Sequence, residues 1–331
     1  MKLVEIKPSQ FNELAQAEPN KSFYQTSNWG SFYSSLDYSP YYLGYVDESN
    51  VYSALGLFLV KKGSFFERKH AICPFGFLIN YYDTKLLKDF TNDVKKFLSK
   101  KGVGTLTINP NINYLTSRGN NDSLIKNMND LGYEKTKNNV IYTTKIEEIK
   151  NVECIDDVCI STYVVDKETD KLFKAGVNYK TLYESMGNLA KFVVCELDCN
   201  KSLEKLNTYI NEANAFVEMH QDDYKYDDEI ANRKKAIETK QEYIALINKL
   251  VSENGNNPLL ALTCLVEFDN KITQLFIDHK KDYEVFNTLE LLKQETLITI
   301  NKLGYESFDG YIKNETSTKT DLIGEFTYRI K

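Results

Sequence analysis

Residues 203–253 carry apolar side chains at helical spacing, and this segment constrains the fold more than any other. Its first half has apolar residues three and four apart, and its second half has one every seven residues. The two series are Leu203, Leu206, Ile210, Ala213 and Val217, then Ile230, Ile237, Ile244 and Val251. The acidic stretch 222–228 separates them. Such a seam predicts two helices paired as an antiparallel coiled-coil hairpin. The alternative is two helices packed on a domain core.

The chain on both sides of this segment alternates between strand and helix patterns. The elements expected before it are a hairpin over 41–45 and 51–60, a helix from Asp83 to Gly102, a strand over 105–108 and a helix over 124–131. Those expected after it are a hairpin over 259–268 and 272–277, a helix over 288–303, and strands over 305–310 and 322–330. This order predicts an α+β chain whose second half repeats the organisation of the first.

The boundaries of these patterns give three structural units. Residues 1–145 form the first domain. Residues 146–202 and 256–331 form the second domain. Residues 203–255 form a helical arm inserted into the second domain.

Composition excludes several classes of protein. The chain is 42% hydrophobic and 27% charged, which is globular, and its net charge of −6 restricts any RNA contact to a local surface. The six cysteines form no CxxC pair and only three histidines are present, so no metal site is expected. The N-terminus shows no secretory signal, and the apolar run 53–60 is far short of the ~20 residues that span a bilayer. A cytoplasmic location is expected.

Short segments along both halves follow one another in the order and spacing of a known family. In the first half they are 23–30, Gly44, Ala54, 73–78, 82–83, 86–87, 108–110 and 131–133. In the second half they are 190–193, 196–197, 301–305 and 308–311. In these segments, which extend over most of the chain, the sequence resembles the FemABX family of aminoacyl-tRNA-dependent peptidoglycan cross-bridge transferases.

The resemblance implies two domains of the GNAT-type acyltransferase fold, interrupted by a coiled-coil arm. It also implies transfer of an amino acid from aminoacyl-tRNA to an amine on the stem peptide of a UDP-linked or lipid-linked peptidoglycan precursor. Neither a cofactor nor a metal is required, because aminolysis of an ester needs mainly alignment of the substrates and stabilisation of an oxyanion. Association with the inner membrane face through a lipid-linked substrate, and a homo- or heterodimer with a related transferase, are further implied partnerships.

Some family-basic positions differ in this chain. Tyr33 stands where the family often carries a lysine that holds substrate phosphates. The family's C-terminal Phe-Lys pair corresponds to Phe326 and Thr327. Arg329 alternates to the same face of the strand as Thr327 and is the substitute cation that we predict. Arg329, Thr327 and the Phe326 backbone amide are therefore the candidate catalytic groups, and Asp309 is a candidate for orienting the acceptor amine or, alternatively, a turn residue.

Other candidate residues follow from position in the resemblance. The candidate substrate-binding residues are Trp29, Tyr33, Lys61, Pro74 and Gly76. A core role for Trp29 and a solvated role for Lys61 are the alternatives. The candidate tRNA-binding residues are Arg233, Lys234, Lys235 and Lys240 in the arm, where interspersed glutamates make a solvated helix face the alternative.

Two functional classes remain open from the sequence. The first is an active aminoacyltransferase, and the second is a non-catalytic relative that binds a precursor, a tRNA or a sister transferase. An acetyl-CoA-dependent enzyme is not favoured, because the approximate glycine turn at 99–104 follows a helix rather than opening one.

Overall fold

The computed structural model of the chain describes residues 1–61, 63, 68–146, 149, 151–165, 177–313 and 316–330. Within these residues the chain forms two mixed β-sheets with helices on their faces and one long helical hairpin. The elements of the first half are β1 (Lys2–Glu5), α1 (Pro8–Gln16), α2 (Ser27–Ser35), β2 (Tyr38–Val46), β3 (Tyr52–Lys61), β4 (Lys69–Cys73), β5 (Leu78–Ile79), α3 (Thr84–Lys100), β6 (Val103–Ile108), α4 (Arg118–Asp130), β7 (Tyr133–Lys137) and β8 (Val140–Lys145).

The second half follows the same plan. Its elements are β9 (Ile160–Val165), α5 (Val177–Met186), β10 (Ala190–Leu197), α6 (Cys199–His220), α7 (Asp227–Asn254), β11 (Leu259–Phe268), β12 (Lys271–His279), α8 (Thr288–Lys302), β13 (Ser307–Gly310), β14 (Ser317–Asp321) and β15 (Glu325–Arg329). In each half an antiparallel strand pair precedes a strand–helix–strand unit whose two strands are parallel. The predicted repetition is therefore confirmed.

The helical arm occupies one specific place in this plan. The strands β2 and β3 are joined by a short turn, whereas the corresponding strands β10 and β11 are joined by α6 and α7. The two helices pack against each other, and none of the nine seam residues named above is exposed. At the base of the arm, Leu206, Ile247 and Leu250 join a buried cluster with Leu260 and Phe286 of the second half. This packing fixes the arm to the body.

The two sheets exchange one strand each. The order of the first sheet is β1-β2-β3-β4-β6-β15-β7, and the order of the second is β14-β8-β13-β12-β11-β10-β9. The C-terminal strand β15 therefore completes the first sheet, and β8 completes the second. The expected domains 1–145 and 146–202 with 256–331 thus share strands, because each sheet needs a strand from the other part of the sequence to fill the place next to its parallel pair.

A single apolar core joins the two halves. Trp29, Tyr42 and Leu57 of the first half are buried in one cluster with Phe192 and Leu262 of the second half. The opposite face of the first sheet is covered by α3 and α4 in a separate core. Since burial of apolar side chains is the main favourable term in folding, the shared cluster holds the halves against each other. None of the described helices is long and apolar enough to cross a membrane.

Candidate functional site

A cleft of about 270 Å³ lies where the two halves meet. Its walls come from the segment before α2, from the ends of β4 and β6, and from the β11–β12 turn and β13 of the second half. The residues that line it are Pro19, Asn20, Lys21, Ser22, Phe23, Tyr24, Phe75, Asn111, Ile141, Phe268, Asp269, Lys271, Thr273, Asp309, Gly310 and Tyr311. A cleft between two halves is a common place for a ligand.

Strand alternation explains which side chains form the floor of this cleft. Thr143 and Thr273 are the cross-strand neighbours of Asp309 on its two sides. Successive side chains of a strand point to opposite faces. The adjacent residues Phe308 and Ile272 are accordingly buried together in the core on the other face of the sheet. Thr273 of β12 and Asp309 of β13 therefore present polar side chains to the cleft, and β8 contributes Ile141 to its lining.

Two tyrosines from opposite halves meet in the cleft. The Tyr24 and Tyr311 hydroxyl oxygens are 2.7 Å apart. Tyr24 is 8% exposed, whereas Tyr311 is 42% exposed. Either hydroxyl could be the donor. Because Tyr24 is buried and Tyr311 is exposed, we assign Tyr24 as the donor, which gives its buried proton an acceptor. The Tyr311 hydroxyl is then free to donate its own proton to a ligand in the cleft.

Both tyrosines keep their protons over the whole physiological range. Burial raises the pKa of Tyr24 well above its ordinary value, and the neighbouring Tyr311 adds to this effect. Burial also raises the pKa of Tyr311 to about 12, while the hydrogen bond from Tyr24 acts in the opposite direction and the charge of Asp309 raises it further. The pair therefore acts as a neutral hydrogen-bond donor.

Asp309 lies beside this pair with only part of its carboxylate in use. The Thr143 hydroxyl donates a hydrogen bond to Asp309 Oδ1 at 2.6 Å. Among the described residues, no lysine or arginine forms an ion pair with Asp309. Its second oxygen can accept hydrogen bonds from a ligand.

A buried glutamine fixes the part of the cleft wall that comes from the first half, namely the segment before α2 and the end of β4. Gln25 is fully buried, its Oε1 accepts a hydrogen bond from the Leu57 amide at 2.7 Å, and its Nε2 donates to the Pro74 carbonyl at 2.5 Å. These bonds tie the segment before α2 to the central strand β3 and to the end of β4. Because Gln25 directly follows Tyr24, they also fix the position of Tyr24.

The turn after β4 supports Tyr24 from below. Phe75 has a positive φ of 57°, its amide donates to Asn109 Oδ1 at 2.9 Å, and its ring stacks on that of Tyr24 at 4.3 Å. Gly76 has a φ of 76°, and a Cβ placed there would lie 2.4 Å from the Tyr81 hydroxyl and 2.8 Å from Pro110 Cα. The turn therefore requires glycine at this position.

Charged residues stand at the mouth of the cleft. Lys21 of the first half and Asp269 of the β11–β12 turn form an ion pair at 3.1 Å. Lys271 is exposed and, among the described residues, has no ion-pair partner. Lys271 is thus available to an anionic group of a ligand. In the described part of the chain, no three His, Cys, Asp or Glu side chains are grouped as metal ligands.

The family of the chain follows from comparison with known proteins. The model of the FemAB family matches residues 6–178 and 172–311. The chain belongs to the FemAB family. Among solved structures, FemX aligns with a TM-score of 0.62 at 15% identity, over 99% of this chain and 97% of that chain.

A second structure confirms the fold of this FemAB protein. A tandem GNAT protein from the clavulanic acid biosynthesis pathway, solved without AcCoA, aligns with a TM-score of 0.58 at 7% identity, over 100% of this chain and 98% of that chain. At such identities the likeness shows the fold alone, namely two GNAT-like halves. Comparison with curated proteins finds no match.

The predicted substrate-binding residues of the FemAB protein lie in three places, of which Lys61 at the end of β3 is one. Pro74 and Gly76 flank Phe75 at the cleft. Trp29 is 8% exposed and packs edge-on against Tyr24 at 4.9 Å, and its indole nitrogen has no hydrogen-bond partner among the described residues. Tyr33 lies on the far side of Trp29, where burial raises its pKa and Tyr38 adds to the effect. Trp29 is therefore a core residue that also supports the cleft wall.

The remaining candidates lie on β3 and on β15 of the first sheet. Thr327 and Thr107 are hydrogen-bonded through their hydroxyls at 3.1 Å, and Arg329 is exposed next to Thr105. Lys61 is exposed at the end of β3, while Phe326 points into the core on the opposite face.

Of the four predicted catalytic residues, only Asp309 lines the cleft. The other three lie together on β15, a strand paired on both edges. Their catalytic roles stay predictions.

The four predicted tRNA-binding residues of the arm differ in whether their side chains already form ion pairs within the protein. Lys240 donates to Asp157 at 2.6 Å and lies over the Tyr209 ring, and its side chain is 12% exposed. Arg233 pairs with Glu229 at 2.8 Å. Lys234 and Lys235 are exposed. The exposed pair is the part of the predicted set that can reach a phosphate without breaking an intramolecular contact.

Sequence reasoning did not single out the residues that build the cleft. Tyr24, Gln25, Phe75 and Tyr311 all lie inside segments that carried the family resemblance, but none was selected as a site residue. The signal was the location of Tyr24 and Tyr311 in two such segments, one in each half. Their contact spans 287 positions in the chain, so no local pattern connects them.

Proposed function

We propose that the protein is an aminoacyltransferase that moves an amino acid from aminoacyl-tRNA to an amine on the stem peptide of a peptidoglycan precursor. The observation that carries the proposal is the cleft between the halves, where the Tyr311 hydroxyl can donate beside the Asp309 carboxylate. Membership of the FemAB family supports this choice of reaction.

The cleft fits the chemistry of ester aminolysis. The acceptor amine attacks the ester carbonyl, a C–N bond forms, the C–O bond to the ribose breaks, and the amine proton ends on the ribose oxygen. The carbonyl oxygen becomes negative in the tetrahedral intermediate. A neutral hydroxyl that is held in place by Tyr24 can donate to this oxygen, and such donors lower the barrier by about 2.7–4 kcal/mol.

An ester donor fits the structure better than an acyl-CoA donor. A CoA pyrophosphate binds to free backbone amides at the start of a helix. At the start of α3, the Asp83 carboxylate already accepts a hydrogen bond from the Leu86 amide at 2.9 Å. A carboxylate in that position repels a pyrophosphate, and the equivalent helix α8 of the second half carries Glu290 in its first turn, although no side chain caps its amides. The acidic residues at both helix starts support transfer from a charged tRNA.

A second candidate function is a non-catalytic binding module. The occupied side chains of Arg233 and Lys240 favour it, because they leave few cations in the arm for tRNA. The threonine at position 327, where the family carries a lysine, favours it as well.

A transfer assay tests the proposal. Purified protein is incubated with total tRNA charged with radiolabelled amino acids and with UDP-linked or lipid-linked stem peptides. We expect label in the peptide product. If no acceptor is labelled while the folded protein still binds a precursor, the transferase is excluded and the binding module remains. Sedimentation with vesicles that contain the lipid-linked precursor would test the predicted association with a membrane surface.

A further inference from the structure

Asp309 is a carboxylate of the cleft that forms no ion pair with any lysine or arginine in the described part of the chain. It is half-buried, and its hydrogen bond comes from the neutral Thr143 hydroxyl. Lys21, a half-buried cation of the same cleft, is paired with Asp269. The exposed Lys271, two residues before Thr273 on β12, forms no ion pair with Asp309 among the described residues. Half-buried charges are normally paired, since a charge that loses water without a partner is destabilising. The Asp309 carboxylate therefore has an oxygen that a cationic ligand entering the cleft can bind.

The surroundings of Asp309 suit an ammonium group. Thr273 lies next to Asp309 on the adjacent strand and also faces the cleft, so its hydroxyl can accept a second N–H. The rings of Tyr24, Phe268 and Tyr311 line the same space. Aromatic faces attract ammonium ions and exclude water from them. A carboxylate, a hydroxyl and aromatic walls together form a site for a primary ammonium.

Two amines take part in the proposed reaction, and only one of them can remain charged. The acceptor amine must lose its proton before it attacks, and a neighbouring carboxylate favours the protonated form. The α-amine of the transferred amino acid does not react. A carboxylate therefore helps by holding the donor's ammonium and slows the reaction if it holds the acceptor.

We propose that Asp309, with Thr273, binds the α-ammonium of the aminoacyl group and so selects donors that carry a free α-amine. This inference rests on the proposed function for the identity of the ligand. It assigns Asp309 to the donor, whereas the sequence analysis considered it as a residue that orients the acceptor amine or as a turn residue.

A pair of ligands that differ in one group tests the inference apart from catalysis. The two are 3′-amino-3′-deoxyadenosine carrying an alanyl or a lactyl group through an amide, so that one has an α-ammonium and the other a hydroxyl. Their binding is measured by isothermal titration calorimetry with the full chain. We expect the alanyl compound to bind roughly 10- to 100-fold more tightly, the range of a hydrogen bond to a charged group.

Variants connect the difference to the site. Asp309→Asn should bind the two compounds about equally by losing affinity for the alanyl compound alone. Thr143→Val should lower the preference in part, because Thr143 orients the carboxylate. Asp130→Asn, an exposed change at the end of α4, removes the same charge elsewhere and should leave the preference intact.

The outcomes separate the two proposals. Equal binding of both compounds to the wild-type protein, or a preference that survives Asp309→Asn, overturns the ammonium site. A preference that depends on Asp309 supports the site even where the transfer assay shows no product, and in that case the transferase proposal alone fails.

Discussion

The Tyr24 and Tyr311 hydroxyls are hydrogen-bonded to each other, at an oxygen separation of 2.7 Å, across the junction of the two halves. Tyr24 belongs to the segment that enters α2, and Tyr311 directly follows β13. The contact places a residue from each half at one point of the cleft. It also gives the two tyrosines different tasks, since Tyr24 orients and Tyr311 faces the ligand.

Removal of the two hydroxyls should therefore have unequal effects on transfer. Tyr311→Phe removes the donor to the oxyanion and should lower kcat about 10²–10³-fold. Tyr24→Phe leaves the Tyr311 hydroxyl in place and should lower kcat less. Steady-state kinetics of both variants measure the ratio. Equal losses, or a larger loss for Tyr24→Phe, would contradict the assigned direction of the hydrogen bond.

Gln25→Leu should destabilise the protein strongly. The change leaves the buried Leu57 amide and Pro74 carbonyl without their partner, at about 1–3 kcal/mol for each group. Urea unfolding of the variant measures the loss. Gln10→Leu is the matched control on the exposed face of α1 and should change stability by less than about 0.5 kcal/mol. Similar urea-unfolding midpoints for the two variants would show that the hydrogen bonds of Gln25 do not stabilise the segment before α2.

Gly76→Ala should destabilise more than Gly102→Ala, although both glycines have a positive φ. At Gly102 nothing lies within 4 Å of an added Cβ, so only the left-handed backbone opposes alanine, at about 1–2 kcal/mol. At Gly76 the added Cβ also meets the Pro110 backbone, which adds about 1–3 kcal/mol. Chemical denaturation measures the free energy of unfolding of both variants. Equal decreases would show that the contact of the added Cβ with the Pro110 backbone does not matter.

If the arm contacts tRNA, the exposed lysines should carry that contact. The double variant Lys234→Ala, Lys235→Ala should raise KM for charged tRNA. It should also reduce the slope of the logarithm of the binding constant against the logarithm of the salt concentration by about one for each phosphate contact that is lost. Lys240→Ala should instead lower thermal stability, because it leaves Asp157 unpaired. Unchanged tRNA binding in the double variant would exclude this part of the arm as an RNA surface.

His70 should make stability depend on pH. Burial lowers its pKa below the ordinary value of 6.5, so the unfolded chain binds a proton at a higher pH than the folded chain. The contribution of His70 to the free energy of unfolding should therefore be constant above its ordinary pKa of 6.5. It should decrease as the pH falls from 6.5 to the lower pKa of the folded state. His70→Gln should flatten this decrease in a urea series. An unaltered pH profile in the variant would show that His70 does not contribute.

The helices and strands could be predicted from the sequence better than the pairing of the strands and the tertiary contacts. The helix that Asp83 begins, the two hairpins and the helix before Gly304 follow from local spacing, and the structure confirms them. The exchange of β8 and β15 depends on which strand edge remains unpaired in each sheet. That is a property of the folded sheets, and no local sequence pattern predicts it. The same limit applies to the cleft, because its residues come from segments as distant as Tyr24 and Tyr311.

Transfer of a labelled amino acid to a stem peptide, measured for the wild-type protein beside Tyr311→Phe and Arg329→Ala, tests the central claim most directly. We predict labelled product with the wild type and a large loss with Tyr311→Phe, since Tyr311 lines the cleft. The catalytic role predicted for Arg329 from the sequence instead requires a large loss with Arg329→Ala. Loss with Arg329→Ala alone would move the reaction to the face of the first sheet. No product from any charged tRNA with the wild-type protein would contradict the account.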